Sequence, residues 1–177
     1  LNVTSAIIGN EGTGTFTQDG GTNQSDNRDI GALAGGYGTY NLNSGTLSVG
    51  TGGIINGEGT GTLNIDGGAL TGSYTTIDVD NFNVGNALGS TGEFTLVDNK
   101  PLSATNAYIG YAGTGTFTQD GGTHLAYLIS VGTYSGSNGT YTQSGGTNQS
   151  ATICMGNYFG SSGSYSLSGG VIIADVE

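Results

Sequence analysis

The chain has 177 residues, of which 37 are Gly and one is Pro, and its 13 acidic and 2 basic residues give a formal net charge of -11. Two cations, Arg28 and Lys100, are too few to displace counterions from nucleic-acid phosphate or to hold an anionic membrane surface, and no apolar run approaches the roughly 20 residues that span a bilayer. One Cys excludes an internal disulfide, and one His with one Cys excludes a structural zinc site of about four such ligands.

Taken in chain order, the first segment is Leu1–Gly9, an apolar stretch ending in Ile8-Gly9. It has the register expected after a Gly-Gly-Thr, so the chain is expected to start within a repeat. An initial Leu without a leader points to a processed product or a segment of something longer. Next comes a phrase, Gly14-Thr-Phe-Thr-Gln-Asp-Gly-Gly21. It returns as Gly38-Thr-Tyr-Asn-Leu-Asn-Ser-Gly45, as Gly61-Thr-Leu-Asn-Ile-Asp-Gly-Gly68 and, degenerate, as Gly92-Glu-Phe-Thr-Leu-Val-Asp-Asn99. Clear copies follow at Gly115–Gly122, Gly139–Gly146 and Gly163–Gly170. The leading glycines lie 24, 23, 31, 23, 24 and 24 residues apart. Before most copies stands an apolar residue and a Gly: Ile8-Gly9, Ile30-Gly31, Val84-Gly85, Ile109-Gly110, Val131-Gly132 and Met155-Gly156. In the third copy this anchor is blurred into Ile55-Asn56-Gly57.

Within the phrase the pattern alternates with period two, the signature of a strand with one buried and one wet face. The inward positions form a ladder of Phe16, Tyr40, Leu63, Phe94, Phe117, Tyr141 and Tyr165. Gln18, Gln119 and Gln143 point the same way and are expected to bond along the axis as stacked amides do. The outward positions read Thr-x-Thr in the first, fifth and sixth copies. A strand of about six residues cannot bury its apolar face alone, but equivalent strands stacked from successive repeats can. The predicted fold is therefore all-β: one parallel β-solenoid over residues 1–177, of about seven coils of about 24 residues, on the order of 35 Å long. Residues 71–101 should form an irregular coil, with an insertion or extra strand around 71–83. The leucine-rich repeat lacks its signature here, and a propeller blade needs about 40 residues.

The phrase resembles the Gly-Thr-(Phe/Tyr)-Thr-x-x-Gly-Gly repeats of large secreted bacterial surface proteins, similar to autotransporter passengers and to planctomycete-type repeat proteins. The resemblance covers nearly the whole chain and is weakest over Thr71–Pro101. It implies a parallel β-helix exported beyond the cell membrane and no shared catalytic site. Like its start, the end of the chain at Glu177 falls within a coil, and neither end carries a polar cap. Two readings stay open: a slice of a longer solenoid, or a subunit whose ends are covered by other copies in a head-to-tail homopolymer.

Chemistry-bearing residues are sparse. Asp19, Asp66 and Asp120 share one repeat position before Gly-Gly and read as turn residues on alternate coils of one line. Asp78 and Asp80 are the candidate metal ligands, because alternate carboxylates can face one calcium ion; otherwise no cofactor is expected. His124 follows a Gly-Gly turn and is expected at the surface, and Cys154 could face either way. Thr15, Thr17, Thr116, Thr118, Thr140 and Thr142 form the candidate surface-ligand face, for glycan or ice, although Asn41, Asn64 and Glu93 interrupt it. Asn2, Asn23, Asn138 and Asn148 match the N-glycosylation sequon, a cheap match in so Asn-rich a chain. The reading that follows is a non-enzymatic extracellular structural protein, a solenoid subunit or segment of a surface filament. The alternative is an adhesin that binds glycan or ice through its Thr-x-Thr face.

Overall fold

A computed structural model describes residues 1–174, so the expected mid-coil end at Glu177 lies outside the described residues. These residues contain strands and turns and no helix, in parallel coils of a β-solenoid of about seven turns spaced by about 24 residues. In chain order the strands are β1 (Asn2–Ile8), β2 (Thr13–Ile30), β3 (Tyr37–Ile55), β4 (Thr60–Ile65), β5 (Ala69–Gly72), β6 (Ile77–Val84) and β7 (Thr91–Leu96). They continue as β8 (Pro101–Ile109), β9 (Thr114–Gln119), β10 (Thr123–Val131), β11 (Asn138–Gln143), β12 (Thr147–Met155), β13 (Ser162–Leu167) and β14 (Val171–Ala174).

One coil shows how the sequence turns the chain. In β9, Phe117 and Gln119 point inward and Thr116 and Thr118 outward. The Gly121-Gly122 corner leads to β10, where His124 and Ala126 point inward. At Tyr127 the strand bends. The ladders to both neighbours skip this residue, its ring is exposed, and the buried positions resume at Ile129 and Val131. Gly132 then opens the third corner. Each coil thus passes through three short extended segments and three corners around a filled centre.

The anchor glycine is required twice over. Gly132 has φ of 70°, and a Cβ there would stand 2.0 Å from the Ser162 carbonyl oxygen of the next coil. Gly110 repeats this with φ of 71° and 2.2 Å to the Asn138 carbonyl oxygen. No L side chain fits this combination of left-handed backbone and close coil stacking.

The ladder does not run in one line. Tyr40 pairs with Leu63, but Leu63 then pairs with Phe82 of β6 and not with Phe94. The column built by the phrase strands Thr13–Gln18, Tyr37–Leu42 and Thr60–Ile65 continues as the second half of β6, then of β8, β10 and β12. The later phrase strands β7, β9, β11 and β13 start a separate sheet of four. The physical reason lies in the 31-residue interval. It is close to four-thirds of a 23–24-residue coil, so the phrase re-enters one side further round. Residues 71–101, expected as an irregular coil with an insertion, hold this change. They contain the end of β5, a bend at 73–76, then β6 and β7. Lys100 holds the bend, its ammonium donating to the Tyr74 carbonyl and lying 4.3 Å from that ring's centroid.

The core is continuous through the change. Phe82 meets Phe94 edge-on at 5.0 Å and Phe117 at 6.3 Å. Tyr40, Leu63, Phe94, Phe117 and Tyr141 are buried, whereas Phe16 and Tyr165, at the two ends of the stack, are partly exposed.

Candidate functional site

The polar interior is a repeated three-residue unit that differs from the expected stack of glutamines. Tyr141 Oη donates to Gln119 Oε1 of the coil before it at 2.7 Å, and Gln119 Nε2 donates to the Thr147 carbonyl oxygen at 2.9 Å. Tyr40 with Gln18, and Tyr165 with Gln143, repeat the tyrosine bond at 2.5 Å each. The third member donates to the tyrosine oxygen: Asn23 Nδ2 to Tyr40 at 2.9 Å and Asn148 Nδ2 to Tyr165 at 3.0 Å. At Tyr141 that place belongs to His124, with Nδ1 2.9 Å from the phenol oxygen.

His124 is therefore not at the surface as expected; it is fully buried, with its ring stacked on Phe117 at 5.0 Å. Because Tyr141 gives its proton to Gln119, His124 must supply the proton from Nδ1, leaving Nε2 without a partner. Burial lowers its pKa from 6.5 to about 3, so the ring is neutral. No hydrogen bond joins it to Cys154, which is partly buried and paired in register with Ser130. The sequon residues Asn23 and Asn148 are buried as well, which closes them to a glycosyl donor in the folded chain.

The acids are dispersed. Asp19 accepts from Asn43 Nδ2 and Asp120 from Ser144 Oγ, each at 2.7 Å and each on the next coil. Asp66 caps the corner of Asn86, Ala87 and Ser90, accepting from two backbone N–H groups and a hydroxyl. The change of side between the third and fourth copies separates Asp120 from the column that holds Asp19 and Asp66, so the expected single line of three does not form. Of the candidate calcium ligands, Asp78 is exposed, whereas Asp80 Oδ2 accepts from Asn56 Nδ2 at 2.9 Å and Gly61 N–H at 2.7 Å. Among the described residues no three His, Cys, Asp or Glu side chains come together as a metal group.

The Thr face is divided between two sides. Thr15 and Thr17 lie on β2, in the first phrase column. Thr116, Thr118, Thr140 and Thr142 lie together on β9 and β11, in register Thr116 with Thr140 and Thr118 with Thr142. Ser164 and Ser166 extend this hydroxyl array on one flank, and Glu93 and Thr95 on the other.

A second outward surface was not legible from the Thr pattern. Down the first phrase column, Asn83 Nδ2 donates to Asn64 Oδ1 at 2.6 Å, Asn64 Nδ2 to Asn41 Oδ1 at 2.7 Å, and Asn41 Nδ2 to Thr17 Oγ1 at 3.3 Å. A parallel row runs from Asn106 to Asn81 at 3.1 Å and from Asn81 to Thr62 at 3.3 Å. Beside these rows stand exposed and half-buried tyrosines. Tyr108 packs edge-on to Tyr111 at 5.0 Å, Tyr111 to Tyr134 at 4.7 Å, and Tyr134 stacks on Tyr158 at 5.2 Å. The hydrogen bond to Tyr134, with burial second, pushes the Tyr111 phenol up to about 12. Rows and rings meet in a groove of about 360 Å³, lined by Asn64, Asn81, Asn83 and Asn86, the hydroxyls of Thr39 and Thr62, and Tyr108 and Tyr111. None of these residues is charged. The change of side creates the groove, because it brings Asn81 and Asn83 of an anchor segment into line with phrase residues Thr62 and Asn64. A larger recess of about 730 Å³ near β1 is lined by Val3, Gln24, Asp26 and Val49 among smaller residues and has no ring.

No family model, curated protein or solved structure matches the chain.

Proposed function

We propose that the chain is a non-enzymatic structural element of an extracellular surface fibre, a solenoid that continues axially, either by stacking on further copies of itself or as part of one longer chain. The observation that carries this reading is the direction of its internal bonds. The backbone ladders, the Tyr–Gln bonds and the aromatic stacks all run from coil to coil along one axis. Such a rod resists bending and local opening, because each coil is held by both neighbours. The likeness of the phrase to secreted bacterial repeats supports the extracellular setting. The net charge of -11 opposes side-by-side clumping. The outermost strands β13 and β14 and the half-buried Tyr165 offer the surface on which a further coil would stack.

Electron microscopy of the native material, paired with the mass of the denatured chain, tests the reading. Filaments built from chains of about this length, or rods from one very long chain, are expected. Discrete globular particles would overturn it. The second reading, an adhesin for glycan or ice, is favoured by the in-register hydroxyl array on β9 and β11. Thermal hysteresis or a glycan-array signal, lost on Thr→Val changes at 116, 118, 140 and 142, would support it; silence in both assays would reject it.

A further inference from the structure

We propose that the groove between the asparagine rows and Tyr108 and Tyr111 binds a neutral oligosaccharide in extended form. This goes beyond the structural reading and uses a surface other than the hydroxyl array. Three observations carry it. First, the amides are held in place: in each axial row an amide commits one N–H and one oxygen lone pair to its neighbours. The second N–H and lone pair remain, and an amide that both donates and accepts matches a sugar hydroxyl, which does the same. Second, Asn83 is 7% exposed and its Oδ1 has no hydrogen-bond partner, an unmet acceptor at the floor of the groove. A buried acceptor left unpaired is costly, and a ligand hydroxyl, direct or through one water, relieves that cost. Third, the rings of Tyr108 and Tyr111 supply the apolar faces on which the C–H side of a pyranose packs, as cavities of this size pair a few fixed polar groups with aromatic walls.

The charge pattern selects the class of ligand. The groove is neutral in a chain of net charge -11 with Lys100 and Arg28 as its only cations, and Arg28 is buried. An anionic polysaccharide or phosphate meets repulsion and no counter-charge. A peptide adding as a strand needs a free sheet edge, whereas the groove lies on the face of strands already paired on both sides. The amide rows extend over several coils, from Asn41 to Asn83 and from Asn81 to Asn106, which suits a chain of sugars over a single one.

The test uses the whole chain and calorimetric titration with cellohexaose, chitohexaose, mannohexaose and laminarihexaose, with heparin and polygalacturonate as anionic probes. Tyrosine emission gives a second readout, since the chain has no Trp. Two groove variants are compared with the parent. Asn86→Ala removes a side chain that makes no hydrogen bond within the described residues, so it tests binding with little effect on folding. Tyr111→Ala removes a ring face. The double change Thr140→Val with Thr142→Val on the other sheet is the control. At least one neutral hexasaccharide is expected to bind, with a tenfold or greater loss in each groove variant, none in the control, and unchanged melting for Asn86→Ala. Failure of all four neutral sugars, binding of the anionic probes alone, or neutral binding untouched by both groove variants would overturn the proposal. Rods in micrographs without saccharide binding would overturn it and leave the structural reading standing.

Discussion

At the scale of single residues, the interior follows a pairing rule between neighbouring coils. Where one coil carries Gln18, Gln119 or Gln143, the next carries Tyr40, Tyr141 or Tyr165 on the same ladder, and Asn23, His124 or Asn148 stands between. Where the glutamine is replaced by Leu42 or Leu96, the next ladder residue is Leu63 or Phe117, without a hydroxyl. Hydroxyl and amide thus appear together or not at all, because a buried polar group without its partner costs about 1–3 kcal/mol. Tyr141→Phe strands Gln119 Oε1 and the His124 Nδ1–H, and is expected to destabilise by about 1–3 kcal/mol in chemical denaturation. His124 makes the rod sensitive to acid. Its folded pKa of about 3 lies below the unfolded value of 6.5, so its contribution is complete above pH 6.5 and is lost as pH falls toward 3. The loss reaches a few kcal/mol, on the order of 1.4 kcal/mol per pH unit. His124→Asn keeps the donor to Tyr141, as Asn23 and Asn148 do for their tyrosines, and should narrow the gap in Tm between pH 7 and pH 4. An unchanged gap would place the acid sensitivity elsewhere. The rule was present in the sequence as a co-occurrence of Gln, Tyr and Asn or His. Period-two reading alone put the glutamines inward but could not say what they bond, and placing His124 by its nearness to a Gly-Gly turn put it outside.

Among the elements, the corners carry the strictest requirements. Gly110→Ala would place a methyl carbon 2.2 Å from the Asn138 carbonyl oxygen on a backbone at φ of 71°. The left-handed strain and the forced separation of coils together predict a loss of about 3 kcal/mol or more. Gly136, at φ of 83° with open space where a methyl group would stand, carries the strain without the clash. Gly136→Ala should therefore cost about 1–2 kcal/mol, from strain alone. Equal melting shifts for the two variants would show that coil contact contributes nothing. The strand faces were legible from alternation, since every outward Thr and inward aromatic of the phrase is where period two puts it. The bend at Tyr127 was not. It appears in sequence only as a shift in which positions are apolar, from Ala126 to Ile129 and Val131, and without neighbouring strands that shift has no direction.

For the whole molecule, the change of side between the third and fourth copies decides which surfaces exist. Phe82 sits where the two aromatic columns meet, and Phe82→Ala is expected to cost about 3–5 kcal/mol, the range for removing a buried phenylalanine. In this chain taken as an isolated monomer, hydrogen exchange should be slowest in β4, β6 and β8 around this junction and fastest in β1, β13 and β14; further coils stacked on those strands would remove the difference. Nearest-neighbour stacking leaves the outer coils with support from one side only. Uniform protection along the isolated monomer would contradict this nearest-neighbour picture.

Repetition, alternation and composition were enough to establish a parallel solenoid, its coil length and its inward aromatic residues. These follow from local rules that each short segment states for itself. Only the tertiary structure decided which copies stack on which. An interval of 31 residues reads as an insertion until its closeness to four-thirds of a coil is expressed as a shift round the axis. That shift ends one ladder at Leu63 and Phe82, divides the threonines between two sides and lines up Asn64 with Asn83 beside Tyr108. Residues far apart in the repeat become neighbours because the axis, and not the repeat, sets what touches what.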